Sequence, residues 1–424
     1  MLHWKQGLIR SPPLIASLVL KLTSNSAVAF QHCLPRGGGY LRSQNFSTSP
    51  SGRTVSLTHL SSTTNMASQS FWNRETSQPK QFDQSFPITK QAKIVSLTDI
   101  SDDANDAVNK GTLPEGAHLV AIGGSIDDFD IDDLKAQEPN VVFTSHPKSR
   151  ETLAFLLEQL PSIEWIHSRS AGIDYITSPT LSSPKYSHVT VTNAKGSFSS
   201  TLAEYTMMAI GYFAKDLPRL LRQKNHKDWD KYPVEEIRGK TLGIIGYGDI
   251  GRAAATLAKA YGMNIIALRR NPSNSKGDTI VDVVYGNDKN SLNKLMSESD
   301  YILVAAPLTE ETRGFVDATA FESVKADAVF INVGRGPIVD EEALIAALKD
   351  GGKLKGAALD VVSIEPLPKE NELWELDNVL LSPHNMDQTV TFMHEATDFF
   401  VEENLPRFVR EQPLLNPVDQ TAGY

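Results

Sequence analysis

A chain of 424 residues exceeds one typical domain and predicts two, plus appendages. With 40% hydrophobic and 22% charged residues it has enough apolar material for a sizeable core. A net charge of −10 argues against a nucleic-acid surface as its main business, because phosphate binding needs clustered Lys and Arg.

The charge is unevenly spread. Residues 1–74 hold no Asp or Glu but seven Lys or Arg, so the rest of the chain stands near −17. This segment is rich in Ser, Thr and Asn and cannot bury enough apolar surface to fold alone. Lys5 and Arg10 precede an apolar run, Leu14–Leu20, and then Ala27-Val28-Ala29 before Phe30. A small-residue cleavage site followed by an acid-free, hydroxyl-rich stretch resembles the bipartite plastid presequences of algae with complex plastids. The alternatives are a mitochondrial presequence, or a disordered tail with Met66 as the start of a cytosolic chain. The apolar run is too short for a membrane span, which needs about 20 residues. Cys33, the sole cysteine, lies in this segment, so the folded part is expected to have no disulfide, no thiol chemistry and no Cys-based metal site; no metal site is expected.

From about residue 90 strand and helix signals alternate. Short β-branched runs at Lys93–Leu97, His118–Ile122, Val141–Ser145, Trp165–Arg169 and His188–Thr192, with a helix at Glu151–Leu160 among them, predict a parallel sheet. Ser199–Gln223 reads as one long helix that Pro218 kinks or breaks near its end. A polar loop with Trp229, Tyr232 and Pro233 crosses to a second α/β run. Its seven predicted strands are Thr241–Ile245, Met263–Leu268, Ile280–Val284, Tyr301–Ala306, Ala328–Val333, Leu354–Leu359 and Asn378–Leu381. A last helix, about Val390–Arg407, has no strand after it. Its return to the first unit would make the second an insertion.

Within the second run, Gly246-Tyr-Gly248-Asp249-Ile250-Gly251 places G-x-G-x-x-G between a strand and a helix. Gly246 allows the tight turn, Gly248 admits a pyrophosphate against the backbone, and Gly251 lets helix and strand pack closely. The free N–H groups of the helix start favour the phosphates. The next strand ends in Arg269-Arg270, where an NAD-selective site carries an acid for the ribose 2′-hydroxyl. Two guanidinium groups suit a 2′-phosphate instead, so NADP(H) is expected, with NAD(H) as the lesser possibility.

Ligands of open parallel sheets gather at the carboxyl ends of strands. Pro307, Arg335, Asp360, Glu365 and His384 all follow predicted strands there. Beside a nicotinamide, an Arg can hold a substrate carboxylate and a His can donate a proton near neutral pH. A carboxylate on the far imidazole nitrogen would raise the His pKa and fix its tautomer.

These residues resemble those of the D-isomer-specific 2-hydroxyacid dehydrogenases, a family that includes glyoxylate and hydroxypyruvate reductases and D-3-phosphoglycerate dehydrogenase. The likeness runs from about residue 115 to 415. It is strongest through Arg238–Gly246, Pro307–Thr312, Asn332–Asp340, Gly356–Pro368 and Ser382-Pro-His384. The resemblance implies His384 as proton donor or acceptor, Glu365 as its carboxylate partner and Arg335 as the substrate-binding cation. It places Asp360 at the nicotinamide carboxamide and makes Ser170-Ala171-Gly172 the loop that holds the substrate carboxylate. Asp249 and Ile250 supply amides to the pyrophosphate, with Pro307, Thr312, Val333 and Gly334 completing the cofactor site.

The implied fold is α/β with two Rossmann-like domains, the NAD(P)-binding domain (198–385) inserted into a flavodoxin-like substrate domain (90–197 and 386–415). A homodimer acting on a small 2-oxo acid, with no nucleic-acid partner, is implied as well. Asn385-Met386-Asp387 departs from the commoner small residues after the His. The competing functions are a dinucleotide-sensing corepressor-like interaction protein and an NAD-dependent D-3-phosphoglycerate dehydrogenase.

Overall fold

The computed structural model describes residues 82–419, except Pro147. The presequence expected over residues 1–74 lies outside the described residues.

The first sheet contains β1 (Ala92–Leu97), β2 (Ala117–Gly123), β3 (Val141–Thr144), β4 (Trp165–Ser168) and β5 (Thr190–Asn193). Its order is β2-β1-β3-β4-β5, with parallel ladders throughout. Strand residues alternate between two apolar layers, as a two-sided parallel sheet requires. Val95, Val142 and Ile166 face a layer with Leu153, Leu156 and Leu160. Ile94, Phe143 and Trp165 face Phe400, Leu405 and Phe408. The last helical segment of the chain thus packs on the first sheet, across the whole intervening sequence. It runs as α-helix Phe392–Asp398, π-helix Phe399–Asn404 and α-helix Leu405–Phe408, where one regular helix was expected. Pro406 has no N–H to continue the i→i−4 ladder, and the helix widens just ahead of it.

The second sheet contains β6 (Thr241–Ile245), β7 (Asn264–Leu268), β8 (Val283–Tyr285), β9 (Tyr301–Val304), β10 (Ala328–Asn332), β11 (Leu354–Leu359) and β12 (Val379–Leu381). Its order is β12-β11-β10-β9-β6-β7-β8, again parallel. The strand order reverses between β6 and β9, so the crevice at their carboxyl ends is the natural ligand position. The fold is therefore α/β with two parallel sheets.

The expected helix over Ser199–Gln223 is two helices, Ser199–Ala214 and Leu217–His226. The break falls at Asp216, which takes a left-handed φ of 49° and caps the second helix through its carboxylate on the Arg219 amide. Pro218 sits in the first turn, where its missing N–H costs nothing. The first of these helices packs Leu202, Ala203, Ile210 and Phe213 in the same core as Leu242, Ile244, Ala254 and Ala258. No described helix is long and apolar enough to cross a membrane.

Candidate active site

The glycine turn follows β6. Gly246 has φ +99°, and a Cβ there would lie 2.5 Å from the Ala306 amide nitrogen. At Gly251 a Cβ would lie 2.5 Å from the Gly246 carbonyl oxygen. Both positions exclude a side chain for steric reasons within the protein. Gly248 differs: a Cβ there meets nothing within 4 Å, so the space above it is open. Gly248 precedes helix Asp249–Ala260, whose first amides, Asp249 and Ile250, face that opening as a helix N-terminus. An open cradle over a free helix start fits a dinucleotide pyrophosphate. Two ties that sequence reading missed brace this turn. Tyr247 hydroxyl and Arg252 Nε both donate to Asp278 Oδ2, at 3.1 and 3.0 Å. Lys195 Nζ lies 3.4 Å from Asp249 Oδ2.

Arg269 and Arg270 follow β7. Arg269 Nη1 donates to Ser275 Oγ at 2.9 Å, which turns its guanidinium toward the short helix Pro272–Ser275. Arg270 Nη2 donates to Glu311 Oε2 at 3.1 Å. No acid ends β7; the two cations and nearby hydroxyls form the rim there.

After β9, Thr312 Oγ1 donates to the Pro307 carbonyl at 2.7 Å and accepts from the Thr309 amide at 2.8 Å, closing a tight turn. Val333 is buried after β10. A Cβ on Gly334 would come within 2.8 Å of the Ala306 carbonyl oxygen, so this glycine lets the two loops touch. The Arg335 side chain leaves this loop toward the other sheet's loops. Nε and Nη2 both approach Asp174 Oδ1 at 3.3 Å, and Nη1 donates to the Gly334 carbonyl at 2.9 Å.

Ser170, Ala171 and Gly172 follow β4 on that opposing side. The Ser170 amide donates to Ser168 Oγ at 3.2 Å, and Asn193 Nδ2 donates to the Ala171 carbonyl at 2.6 Å. Gly172 lies against the arginine; a Cβ there would sit 1.9 Å from Arg335 Nη2. The loop and Arg335 are thus one constellation, although 335 and 172 come from different sheets.

Asp360, Glu365 and His384 surround the ends of β11 and β12. The buried Asp360 organises the loop after β12. Its Oδ1 accepts from Ser382 Oγ at 2.7 Å and from the amides of Asn385 and Met386 at 3.1 and 3.3 Å, while its carbonyl accepts from the His384 amide at 2.9 Å. Oδ2 has only a long 3.4 Å approach from Met386 N, which leaves it able to accept from a carboxamide. These bonds hold His384 at φ 51°, a backbone conformation rarely used by residues other than glycine.

His384 Nδ1 lies 2.8 Å from Glu365 Oε2, and Glu365 Oε1 accepts from the Val362 amide at 3.1 Å. The hydrogen bond to Glu365 raises the His384 pKa, against burial and the positive Arg335 and with help from the charges on Glu365 and Asp360. For Glu365, burial pulls upward, but the His384 hydrogen bond and charge, the Val362 amide and Arg335 together hold it below the usual carboxylate range. The pair is a polarised imidazole with Nδ1 committed and Nε2 left for chemistry.

Asp387 is a further carboxyl beside this group. Burial raises its pKa, the charges of His384 and Arg335 oppose this, and Asp360 adds to it. Its Oδ1 is buried without a hydrogen-bond partner among the described residues. Asp174 and Asp387 are, with Asp278, site carboxylates that sequence reading leaves without a role. Asp174 stood only two residues beyond the Ser170–Gly172 loop, and its partner is 161 residues away.

A dinucleotide turn and an Arg–Glu–His group, both at the carboxyl edge of one doubly wound sheet, define an NAD(P)-dependent oxidoreductase. Residues 207–385 match the model of the D-isomer specific 2-hydroxyacid dehydrogenase NAD binding domain. Over 62% of its length the chain is 36% identical to the glyoxylate/hydroxypyruvate reductase A of Arabidopsis thaliana, of which it covers 81%. It is 32% identical to the D-3-phosphoglycerate dehydrogenase of Methanocaldococcus jannaschii over 62% of this chain, but spans only 49% of that protein. A D-isomer specific 2-hydroxyacid dehydrogenase from Xanthobacter autotrophicus, solved with NADPH and MES, superimposes with a TM-score of 0.65 at 28% identity, covering 79% of this chain and all of that one. The chain belongs to the D-isomer specific 2-hydroxyacid dehydrogenase family.

Proposed function

We propose that this protein is an NADPH-dependent reductase of a small 2-oxo acid of the glyoxylate or hydroxypyruvate type. The observation that carries the reading is the His384–Glu365 pair, at 2.8 Å, beside a guanidinium and the Ser170–Gly172 loop. Gly246, Gly248 and Gly251 with the amides of Asp249 and Ile250 would hold the pyrophosphate. Pro307, Thr312, Val333 and Gly334 would line the cofactor, and Asp360 Oδ2 would take its carboxamide. When bound, the reduced nicotinamide supplies the hydride that the substrate's carbonyl carbon accepts.

The chain's own residues do the rest. Arg335 binds the substrate carboxylate and so orients the carbonyl, and backbone amides of the Ser170–Gly172 loop share the carboxylate. His384, protonated in the reducing direction, gives its Nε2 proton to the oxygen that becomes negative. Glu365 stabilises the imidazolium and fixes the ring through Nδ1. In oxidation the same Nε2 takes the proton back.

NADPH is favoured because β7 ends in Arg269 and Arg270 rather than an acid, and Ser275 holds Arg269 toward the rim. The structural relative from Xanthobacter autotrophicus was solved with NADPH. A homodimer accords with the exposed Leu217, Leu220, Leu221 and Trp229 on one helix and the arm after it; light scattering that returns a monomer would oppose it. Targeting of residues 1–74 to an organelle, the plastid first, accords with their acid-free, basic composition; a diffuse fluorescent fusion would oppose it.

The test is steady-state oxidation of NADPH and of NADH with a panel of 2-oxo acids. Turnover with NADPH and glyoxylate or hydroxypyruvate is expected. Tight cofactor binding with no turnover of any acid would instead support the dinucleotide-sensing alternative.

A further inference from the structure

Arg335 has five N–H donors in a planar fork, and which of them are committed decides how it can meet an anion. Nε–H and one Nη2–H form its side edge, and both point at Asp174 Oδ1 at 3.3 Å. One Nη1–H goes to the Gly334 carbonyl at 2.9 Å. What remains is one donor on each of Nη1 and Nη2, the end edge, which is the edge that grips a carboxylate with two parallel bonds. Gly172 borders Nη2 so closely that any side chain there would displace it, so the guanidinium lies directly beside the Ser170–Gly172 loop. Asp174 is itself pinned: its carbonyl accepts from Arg150 Nη2 at 2.6 Å.

The position of Asp174 matters as much as its charge. It stands in the loop after β4 of the first sheet, whereas Arg335 follows β10 of the second. Arg335 is therefore steered by a residue of the opposing unit, next to the loop that meets the same substrate group. A free guanidinium on a three-carbon stem would sample several orientations and lose that freedom on binding. Held by its side edge, it presents one orientation before the substrate arrives.

We propose that Asp174 is a positioning residue for substrate binding: it fixes the side edge of Arg335 from the opposing loop and so reserves the end edge for the substrate carboxylate. The proposal rests on the reading of Arg335 as the carboxylate-binding cation. Asp174 accepts hydrogen bonds from Arg335 and acts through it.

The experiment compares Asp174→Ala and Asp174→Asn with the parent chain, measuring kcat and KM for glyoxylate, and calorimetric binding of oxamate to the NADPH complex. Oxamate is a non-reducible 2-oxo acid analogue, so this second readout needs no turnover. Asp174→Ala is expected to raise KM and the oxamate Kd about tenfold while NADPH Kd stays within twofold, which also reports an intact fold. Asp174→Asn keeps an Oδ1 acceptor and is expected to recover most of the loss. In an Arg335→Gln background, Asp174→Ala should add less than twofold. Unchanged or tighter oxamate binding in Asp174→Ala, where Arg335→Gln weakens it, overturns the proposal alone. Unchanged binding in Arg335→Gln as well overturns the reading of Arg335. An equal loss in Asp174→Asn and Asp174→Ala, additive with Arg335→Gln, assigns Asp174 a general structural role and also overturns the proposal.

Discussion

His384 meets Glu365 through Nδ1 at 2.8 Å, and it does so from a left-handed backbone that Asp360 enforces through three main-chain contacts in the 384–386 loop. Asp360 thus sets the backbone from which the imidazole projects, and Glu365 favours its protonated form.

The first consequence is a pH dependence. With His384 as the proposed proton donor, its raised pKa means the donor form is present below that pKa, so kcat/KM for reduction is expected to fall as pH rises through it. Oxidation of the hydroxy acid runs the other way and is lost as pH falls. Glu365→Gln removes the largest cause of the raise. The alkaline limb of the reduction profile is expected to move to lower pH, with a rate loss on the order of tenfold or more at neutral pH. A profile that stays in place would detach Glu365 from the titration.

Replacing His384, the proposed proton donor, is expected to be more severe. His384→Ala is expected to lower kcat by about 10²- to 10⁴-fold, the usual range for a general acid, while NADPH still binds. Fluorescence titration of the cofactor separates lost chemistry from lost folding.

The glycines of the nucleotide turn should divide by mechanism. Gly246→Ala meets Ala306 backbone at 2.5 Å from a φ of +99°, so a stability loss of at least about 1–3 kcal/mol is expected in denaturant melts. Gly248→Ala meets no protein atom within 4 Å, so the fold should hold while NADPH affinity falls. Equal melting losses for both would mean that Gly248 is structural.

The cofactor rim gives a separate test. Arg269→Asp with Arg270→Ala is expected to shift the ratio of NADPH to NADH efficiency about 10- to 100-fold toward NADH. Unchanged selectivity would remove the two arginines from the recognition of a 2′-phosphate.

Much of this architecture was legible from local pattern. Most strands announce themselves as short apolar runs, although β8 starts at Val283 and not at Ile280, and the glycine turn by its spacing between strand and helix. Arg335, Glu365 and His384 could be placed because residues after parallel strands share one edge whatever the loops do. What stayed hidden depends on long-range placement. Asp174 acquires meaning only when β4 and β10 bring their loops together, and nothing within its own window signals that. Proline is the louder breaker, so the sequence puts a break at Pro218; the structure uses Asp216 as a cap and tolerates Pro218 in the first turn. The π segment at Phe399–Asn404 needs only a small shift in hydrogen bonding, which hydrophobic periodicity does not resolve.

The central claim is that Arg335 and His384 serve a 2-oxo acid. Its most direct test is kcat/KM for glyoxylate or hydroxypyruvate in Arg335→Gln at saturating NADPH. Loss of a hydrogen-bonded charge pair to the substrate predicts a fall of about 30-fold or more, with NADPH Kd unchanged. A variant that reduces these acids as efficiently as the parent chain would contradict the account.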